Sequence, residues 1–376
     1  MIQELDIAGY RSIRRLTLSP SQVVLISGAN GCGKTNLYRA LYLLHAAAAG
    51  TLARTLADEG GMPSALWAGS RKHNDPVRMS IEVTIDDLRY SLALGLPSPD
   101  GRKPPPDGGP NIGPGGEPSL FVLDPQVKAE HIRLDGKRGV ELMSRGGAGS
   151  AWMRDADGNR VVFAFQLSQA ESVLAQISEP HLFPVASRLR QEMLSWRFYH
   201  HFRTDERSPL RQPQTGVLTP ILSHDGRDLA AALQTILEIG DKERLRDHLR
   251  RAFPGSELEV DGKDARFSIR MTMPGLGRSL ESTELSDGTL RYLCLCAALL
   301  GPRPPTLLAL NEPETSLHPD LLEPLAELLS EAARSSQLWV TTHSERLTKS
   351  LARLTGTKPV QLTKASGETQ IVSDEE

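Results

Sequence analysis

The sequence predicts an α/β fold: a mixed sheet with helices, built from the two ends of the chain, with a mainly helical lobe inserted between them. Three observations lead there. Near the start, the apolar run Val23–Ile26 enters a glycine-rich turn and then a helical pattern from Lys34 to Ala49. Near the end, two apolar runs, Thr306–Leu310 and Gln337–Thr341, alternate with helical patterns and each stops at polar residues. Such short continuous apolar runs between helices read as buried parallel strands. Between the two ends, residues 119–280 carry several stretches of helical periodicity.

Taken in order, Ile2–Ile7 and Leu16–Leu18 read as strands ahead of Val23–Ile26. The helix that follows stops at Gly50, a residue suited to the left-handed helix terminus. Arg78–Ile85 and Arg89–Leu96 alternate with period two around a turn at Asp86–Asp87. Residues 97–118 are dense in proline and glycine, which cannot bury a core, and read as a mobile loop. AESVLAQISEP, VASRLRQEMLSWRFYHHF, RDLAAALQTILEI and DKERLRDHLRRAF read as helices, and ELEVDGKDARFSIRMTM as a hairpin. Gly288–Leu300 and Pro319–Ser335 read as helices flanking Thr306–Leu310, and VQLTKASGETQIV as a closing hairpin. The expected divisions are 1–118, 119–280 and 281–376. No repeat or sustained heptad is present, so the insertion is expected to be globular rather than a coiled-coil arm.

Composition bounds the function. The chain has 376 residues, of which 39% are hydrophobic and 24% charged, with a net charge of −3. That balance supports a sizeable core and argues against coating nucleic acid by bulk electrostatics. The three cysteines, Cys32, Cys294 and Cys296, are too few and too odd for a disulfide framework, and fit a reducing compartment. Nothing approaches the roughly 20 apolar residues of a membrane span, and the opening MIQELDIAGYRS is not a signal peptide. A cytoplasmic protein without a membrane partner is expected.

Four segments carry chemistry. Gly28-Ala-Asn30-Gly31-Cys32-Gly33-Lys34-Thr35 matches GxxxxGK[ST], between an apolar strand and a helix. Glycines let successive backbone N–H groups turn inward around phosphates, and the helix N-terminus adds its positive end. Lys34 would reach the β- and γ-phosphates and Thr35 would offer its hydroxyl to Mg²⁺, with Asn36 next on the helix. Leu285-Ser286-Asp287-Gly288-Thr289 opens an apolar helix, a second place where an N-terminus could meet phosphate; Ser-Asp-Gly is equally a good helix cap. The run Thr306–Leu310 delivers Asn311 and Glu312 to the carboxyl end of a strand, where ligands bind in open α/β sheets. Thr341-Thr342-His343-Ser344 does the same one strand on.

In this order the four segments resemble the ATPase core of ABC-type proteins: Walker A, the LSGGQ-like signature in its LSDG form, Walker B with Ser316–Pro319 as the D-loop, and the switch histidine. The layout resembles the head domains of the RecF-like and overcoming-lysogenization-defect ATPases, and most nearly the stand-alone ATPases of the AAA-type domain 21 group. The opening GYRSI and the segments Ser195–Asp205 and Leu222–Ile236 are similar to that group. The resemblance implies a P-loop NTPase fold, ATP and Mg²⁺ as cofactors, and a homodimer closing around two nucleotides. In each site Gly28, Asn30, Gly31, Cys32, Gly33, Lys34, Thr35 and Asn36 would bind ATP, with Thr35 and Asn311 toward the metal. Glu312 would orient the attacking water, His343 would sense the γ-phosphate, and Ser286 and Gly288 would come from the partner. Arg11 is open between a nucleotide contact and a salt bridge. Gln126, Gln166 and Gln176 are candidates for the glutamine-loop sensor.

One departure stands out. The family commonly has Asp where this chain has Asn311, which keeps an acceptor oxygen and loses a charge beside the ion. Slow turnover is therefore expected. Two readings of the larger role follow. One is DNA-linked work in repair, chromosome maintenance or phage defence, supported by arginines 188, 190, 197 and 203 beside Trp196, Phe198, Tyr199 and Phe202, and by Lys242, Arg244, Arg246, Arg250 and Arg251 on a helix. The other is a switch with little hydrolysis that controls a separate effector, a toxin or a nuclease, since no nuclease constellation is present here. A transporter subunit is disfavoured by the long insertion and the LSDG form.

Overall fold

The structure, a computed structural model, describes residues 1–70, 77–97, 121, 123–136, 139–146, 150–163 and 167–372. Apart from Pro97, the proline- and glycine-rich stretch 97–118 lies outside them, as does Gln166. Two compact units emerge: residues 1–20, 29–195 and 362–376 form the first, and 21–28 with 196–361 the second. Their limits differ from the expected divisions at 118/119 and 280/281. The segment 119–280 is shared between both units and holds strands as well as helices.

The first unit is built on an antiparallel sheet that starts with Ile2–Tyr10 and Ile13–Leu18 and continues through Arg78–Ile85 and Leu88–Gly95. Four further strands, Gln126–Leu134, Glu141–Gly146, Ala151–Arg154 and Arg160–Val162, extend it to eight. Leu88–Gly95 alternates buried and half-buried residues along most of its length, as expected when the two faces of a sheet differ in solvent access. The helix Lys34–Ala49 keeps its predicted bounds: Gly50 takes φ of 75° and returns its N–H to Ala46 and Ala47 carbonyls. The hairpin of Val360–Ala365 with Glu368–Ile371 is present as expected.

The second unit holds a parallel sheet in the order Arg197–Tyr199, Leu307–Asn311, Gln337–Thr342, Val23–Gly28. Leu307–Asn311 and Gln337–Thr342 are buried at every position, which is why their sequences run apolar without alternation. Helices Leu229–Ile239, Asp287–Leu299, Leu322–Ala332 and Glu345–Thr355 contribute to the core around this sheet. The expected helix through VASRLRQEMLSWRFYHHF stops at Ser195, and Arg197–Tyr199 is a strand. Aromatic residues favour strand geometry, and here they pair beside Leu308–Leu310.

Candidate functional site

In the second unit the strand register gathers three strand ends. Asn311 lies opposite Thr341, Thr341 opposite Ile26, and Thr342 opposite Ser27. Parallel strands in register end together, so Gly28, Glu312 and His343 leave the sheet at one edge. From Gly28 the chain continues directly into the glycine-rich turn.

That turn uses three glycines with positive φ: Gly28 at 148°, Gly31 at 79° and Gly33 at 110°. Asn30 and Gly31 are exposed and Cys32 is buried. Gly33 is the N-cap of the helix and, as a glycine, makes no side-chain cap hydrogen bond. Uncapped amides at a helix start are what an anion recruits. The Lys34 ammonium folds back to donate to the Ala29 carbonyl at 3.1 Å. Asn36, expected at the nucleotide, donates its amide to Ser12 Oγ at 2.7 Å. Arg11 takes the salt-bridge course: its guanidinium pairs with Glu59 at 2.7 Å, and Tyr10 donates to the same carboxylate oxygen at 2.8 Å.

At the strand ends, Asn311 is buried and its Oδ1 accepts from Thr341 Oγ1 at 2.8 Å. One lone pair of that oxygen is left for another donor. Glu312 has φ of 50°, in the left-handed region, and its N–H donates to the Thr341 carbonyl at 2.8 Å. A non-glycine residue there stores about 1 kcal/mol of strain, a cost that clusters at working sites. His343 Nδ1 stands 3.8 Å from Glu312 Oε2 and 3.6 Å from Glu314 Oε1.

Glu314 escaped the sequence reading. It is buried, and its Oε1 accepts from Thr342 Oγ1 at 2.5 Å and from the His343 amide at 3.2 Å. Its Oε2 is buried with no hydrogen-bond partner among the described residues. A carboxylate two places past Glu312 was visible in the sequence; its tie to the His343 segment was not.

The helix Asp287–Leu299 begins with Ser286 as N-cap, its Oγ accepting from the Thr289 amide at 3.1 Å. Ser286 and Asp287 are exposed while the helix behind them is buried. A Cβ on Gly288 would stand 3.0 Å from the Ser316 carbonyl, so the absence of a side chain lets the two segments touch. Arg291, whose pKa burial presses below the usual arginine value, donates to the Glu312 carbonyl at 3.2 Å. A second unforeseen residue, Arg211, grips the signature loop. Its Nη1 donates to the carbonyls of Ser282, Thr283 and Leu285 at 3.2, 3.1 and 2.7 Å. Its Nε donates to Thr204 O at 2.9 Å, and its Nη2 to Asp287 Oδ1 at 2.7 Å.

The expected basic and aromatic surface is different. Trp196, Phe198, Tyr199 and Phe202 are all buried in the core and offer no stacking face. Arg244 and Arg251 pair with Glu331 and Glu327, while Arg246 and Arg250 pair with Glu243 and Asp247 on their own helix. Arg188 pairs with Asp87, and Arg203 with Asp205. Among the glutamine candidates, Gln126 is tied to Gln169 and Lys128, and Gln176 staples the backbone at Ser168, Glu171 and Ser172. No helix among the described residues is long and apolar enough to cross a membrane.

Comparison with known proteins gives the fold. A family model described as "AAA domain, putative AbiEii toxin, Type IV TA system" matches residues 163–348, just under half of the chain. A search of the curated proteins finds no match. Among solved structures, the chain is similar to the head in "the SmcHead bound to the C-winged helix domain of ScpA", at 14% identity and a TM-score of 0.54. That alignment covers 99% of this chain and 97% of the other. It is also similar to an Smc head domain with an extended coiled coil bound to the C-terminal domain of ScpA, derived from Pyrococcus furiosus. Identity there is 12% and the TM-score 0.52, over 99% and 95% of the two chains. The fold is that of P-loop NTPases, in the form taken by SMC heads.

Proposed function

We propose that this chain binds ATP with Mg²⁺ and hydrolyses it slowly, as a homodimer that closes around two nucleotides. The observation that carries the reading is the strand register that brings Gly28, Glu312 and His343 to one sheet edge. Walker A continues from that edge through three positive-φ glycines into the helix that Gly33 opens.

In this reading the backbone N–H groups of the Gly31–Thr35 turn, other than that of Cys32, which donates to Ala29 O, hold the β- and γ-phosphates, and Lys34 adds its charge. The chain's residues fit a magnesium ion, which keeps several waters and takes few protein ligands besides phosphate. The remaining lone pair of Asn311 Oδ1 would be one such ligand, and the sequence pattern offers the Thr35 hydroxyl as another. When bound, the ion neutralises charge on the phosphates. Glu312 orients the attacking water as general base, and His343 reads the γ-phosphate. The Ser286–Gly288 turn, exposed at Ser286 and Asp287, would come from the partner and cap the phosphates with a second helix N-terminus.

Asn311 supports a second emphasis, an ATP-dependent switch with little hydrolysis of its own. Without the usual Asp charge, the ion is held less tightly. The burial of Trp196, Phe198 and Tyr199 and the ion pairs of Arg188, Arg203, Arg244 and Arg251 weigh against that region as a DNA grip. A separate effector protein is then the better partner, a toxin being the kind that the matching family's description names, with DNA-linked work such as that of RecF-like ATPases the alternative.

The test is titration of labelled ATP into wild type and Lys34→Ala, followed by phosphate release. Micromolar binding by wild type that falls at least about 30-fold in the variant supports the reading. Equal binding by both would sink it.

A further inference from the structure

We infer that Thr369, on the strand Glu368–Ile371, is a positioning residue for the phosphate cradle, acting through the Cys32–Gly33 peptide. The inference rests on the ATP-binding reading and adds a residue more than 330 positions away in sequence that none of the motifs contains.

Thr369 is fully buried. Its Oγ1 donates to the Cys32 carbonyl at 2.8 Å. The same oxygen lies 2.7 Å from Ser12 Oγ, which lies 2.7 Å from Asn36 Nδ2. A hydroxyl has one proton to give. Since Thr369 gives its proton to Cys32, Ser12 must donate to Thr369, and Ser12 in turn accepts from Asn36. The result is a relay with one direction: Asn36 Nδ2–H to Ser12, Ser12 O–H to Thr369, Thr369 O–H to the Cys32 carbonyl. The Thr369 amide also donates to Ser12 O at 2.8 Å, which fixes the strand against the Ser12 turn.

The consequence follows from peptide planarity. In a trans peptide the C=O and the following N–H point in opposite directions. Pinning the Cys32 carbonyl toward Thr369 therefore aims the Gly33 N–H away from Thr369, where the phosphate lies in the ATP-binding reading. A second, independent observation agrees. A Cβ built on Gly33 would overlap Thr369 Oγ1, and it would stand 2.9 Å from Thr369 Cγ2. Gly33 is thus required from behind by Thr369 as well as by its φ of 110°. Relay and crowding together hold the loop in its anion-ready shape before any ligand arrives.

The variants are Thr369→Val, which keeps shape and loses the hydroxyl, and Thr369→Ser, which keeps the hydroxyl. Each is titrated with ATP·Mg and with ADP·Mg, and its thermal midpoint is recorded. The expected result is a Kd for both nucleotides weakened about tenfold in Thr369→Val, the size of one lost hydrogen bond. Thr369→Ser should stay within about threefold of wild type by the same measure. Equal affinity of Thr369→Val and wild type overturns the inference while leaving ATP binding intact. Equal weakening in both variants also overturns it, because bulk and not the hydroxyl would then matter. Wild type that binds no ATP removes the underlying reading instead. Should Thr369→Val melt early, Ser12→Ala breaks the relay one step upstream: a loss of a few-fold is expected, and unchanged affinity refutes the relay.

Discussion

Replacing Arg211 with alanine removes one buried guanidinium from five acceptors at once. Four are the carbonyls of Thr204, Ser282, Thr283 and Leu285, and the fifth is the Asp287 carboxylate. Asp287 is exposed and rehydrates freely, so its lost ion pair contributes little. The carbonyls lie against a side chain that is only 10% exposed, and each loses a hydrogen bond worth about 1 kcal/mol net. The sum is about 3–4 kcal/mol, and at roughly 2–4 °C per kcal/mol for a unit of this size the melting midpoint falls by about 10 °C. Fluorescence of Trp196 and Trp339, both buried in the second unit, reports it. Arg211→Lys keeps the charge but cannot fork, and should recover only about 1 kcal/mol. Because the lost bonds hold Ser282–Asp287, ATP-dependent association should fail while ATP binding to the single chain stays within about threefold of wild type. A midpoint within 2 °C of wild type at roughly the stated conversion, or undiminished association, would refute the clamp.

Asn311→Asp restores a charge beside the ion. The Mg²⁺ concentration for half-maximal phosphate release should drop about tenfold, the scale of one charge-assisted contact. Without nucleotide the same variant should melt lower than wild type, since it adds a buried negative charge near Glu312 and Glu314. A rise in stability without ligand would count against this placement. Glu314→Gln keeps an acceptor for Thr342 and the His343 amide but removes the charge near the imidazole. Turnover should fall about tenfold with KM for ATP within threefold, as for a group that acts in the chemical step. A change in KM alone would contradict it.

Much of this was legible in the sequence because it is local. Strand, glycine turn and helix follow one another from Val23 to Ala49, and the end of that helix is written in Gly50. The apolar runs at Leu307–Asn311 and Gln337–Thr342 announce buried parallel strands without help from neighbours. The strands from Gln126 to Val162 were hidden by their charges. In Gln126–Leu134 the buried position of Glu130 reads as a surface residue until Tyr90, Ser172 and the Val173 amide are seen to bond its carboxylate. Arg197–Tyr199 was masked by the helix that runs into it. Arg211, Glu314 and Thr369 act through contacts distant in sequence, and no spacing rule announces them. Of the two readings of Ser286, the structure shows the helix cap.

The measurement closest to the central claim is the mass of Glu312→Gln in solution by light scattering, with and without ATP·Mg. Loss of the general base should hold the nucleotide uncleaved, so the variant should double in mass with ATP and return to one chain on its removal or with ADP. Mass that stays at one chain under saturating ATP would contradict the account.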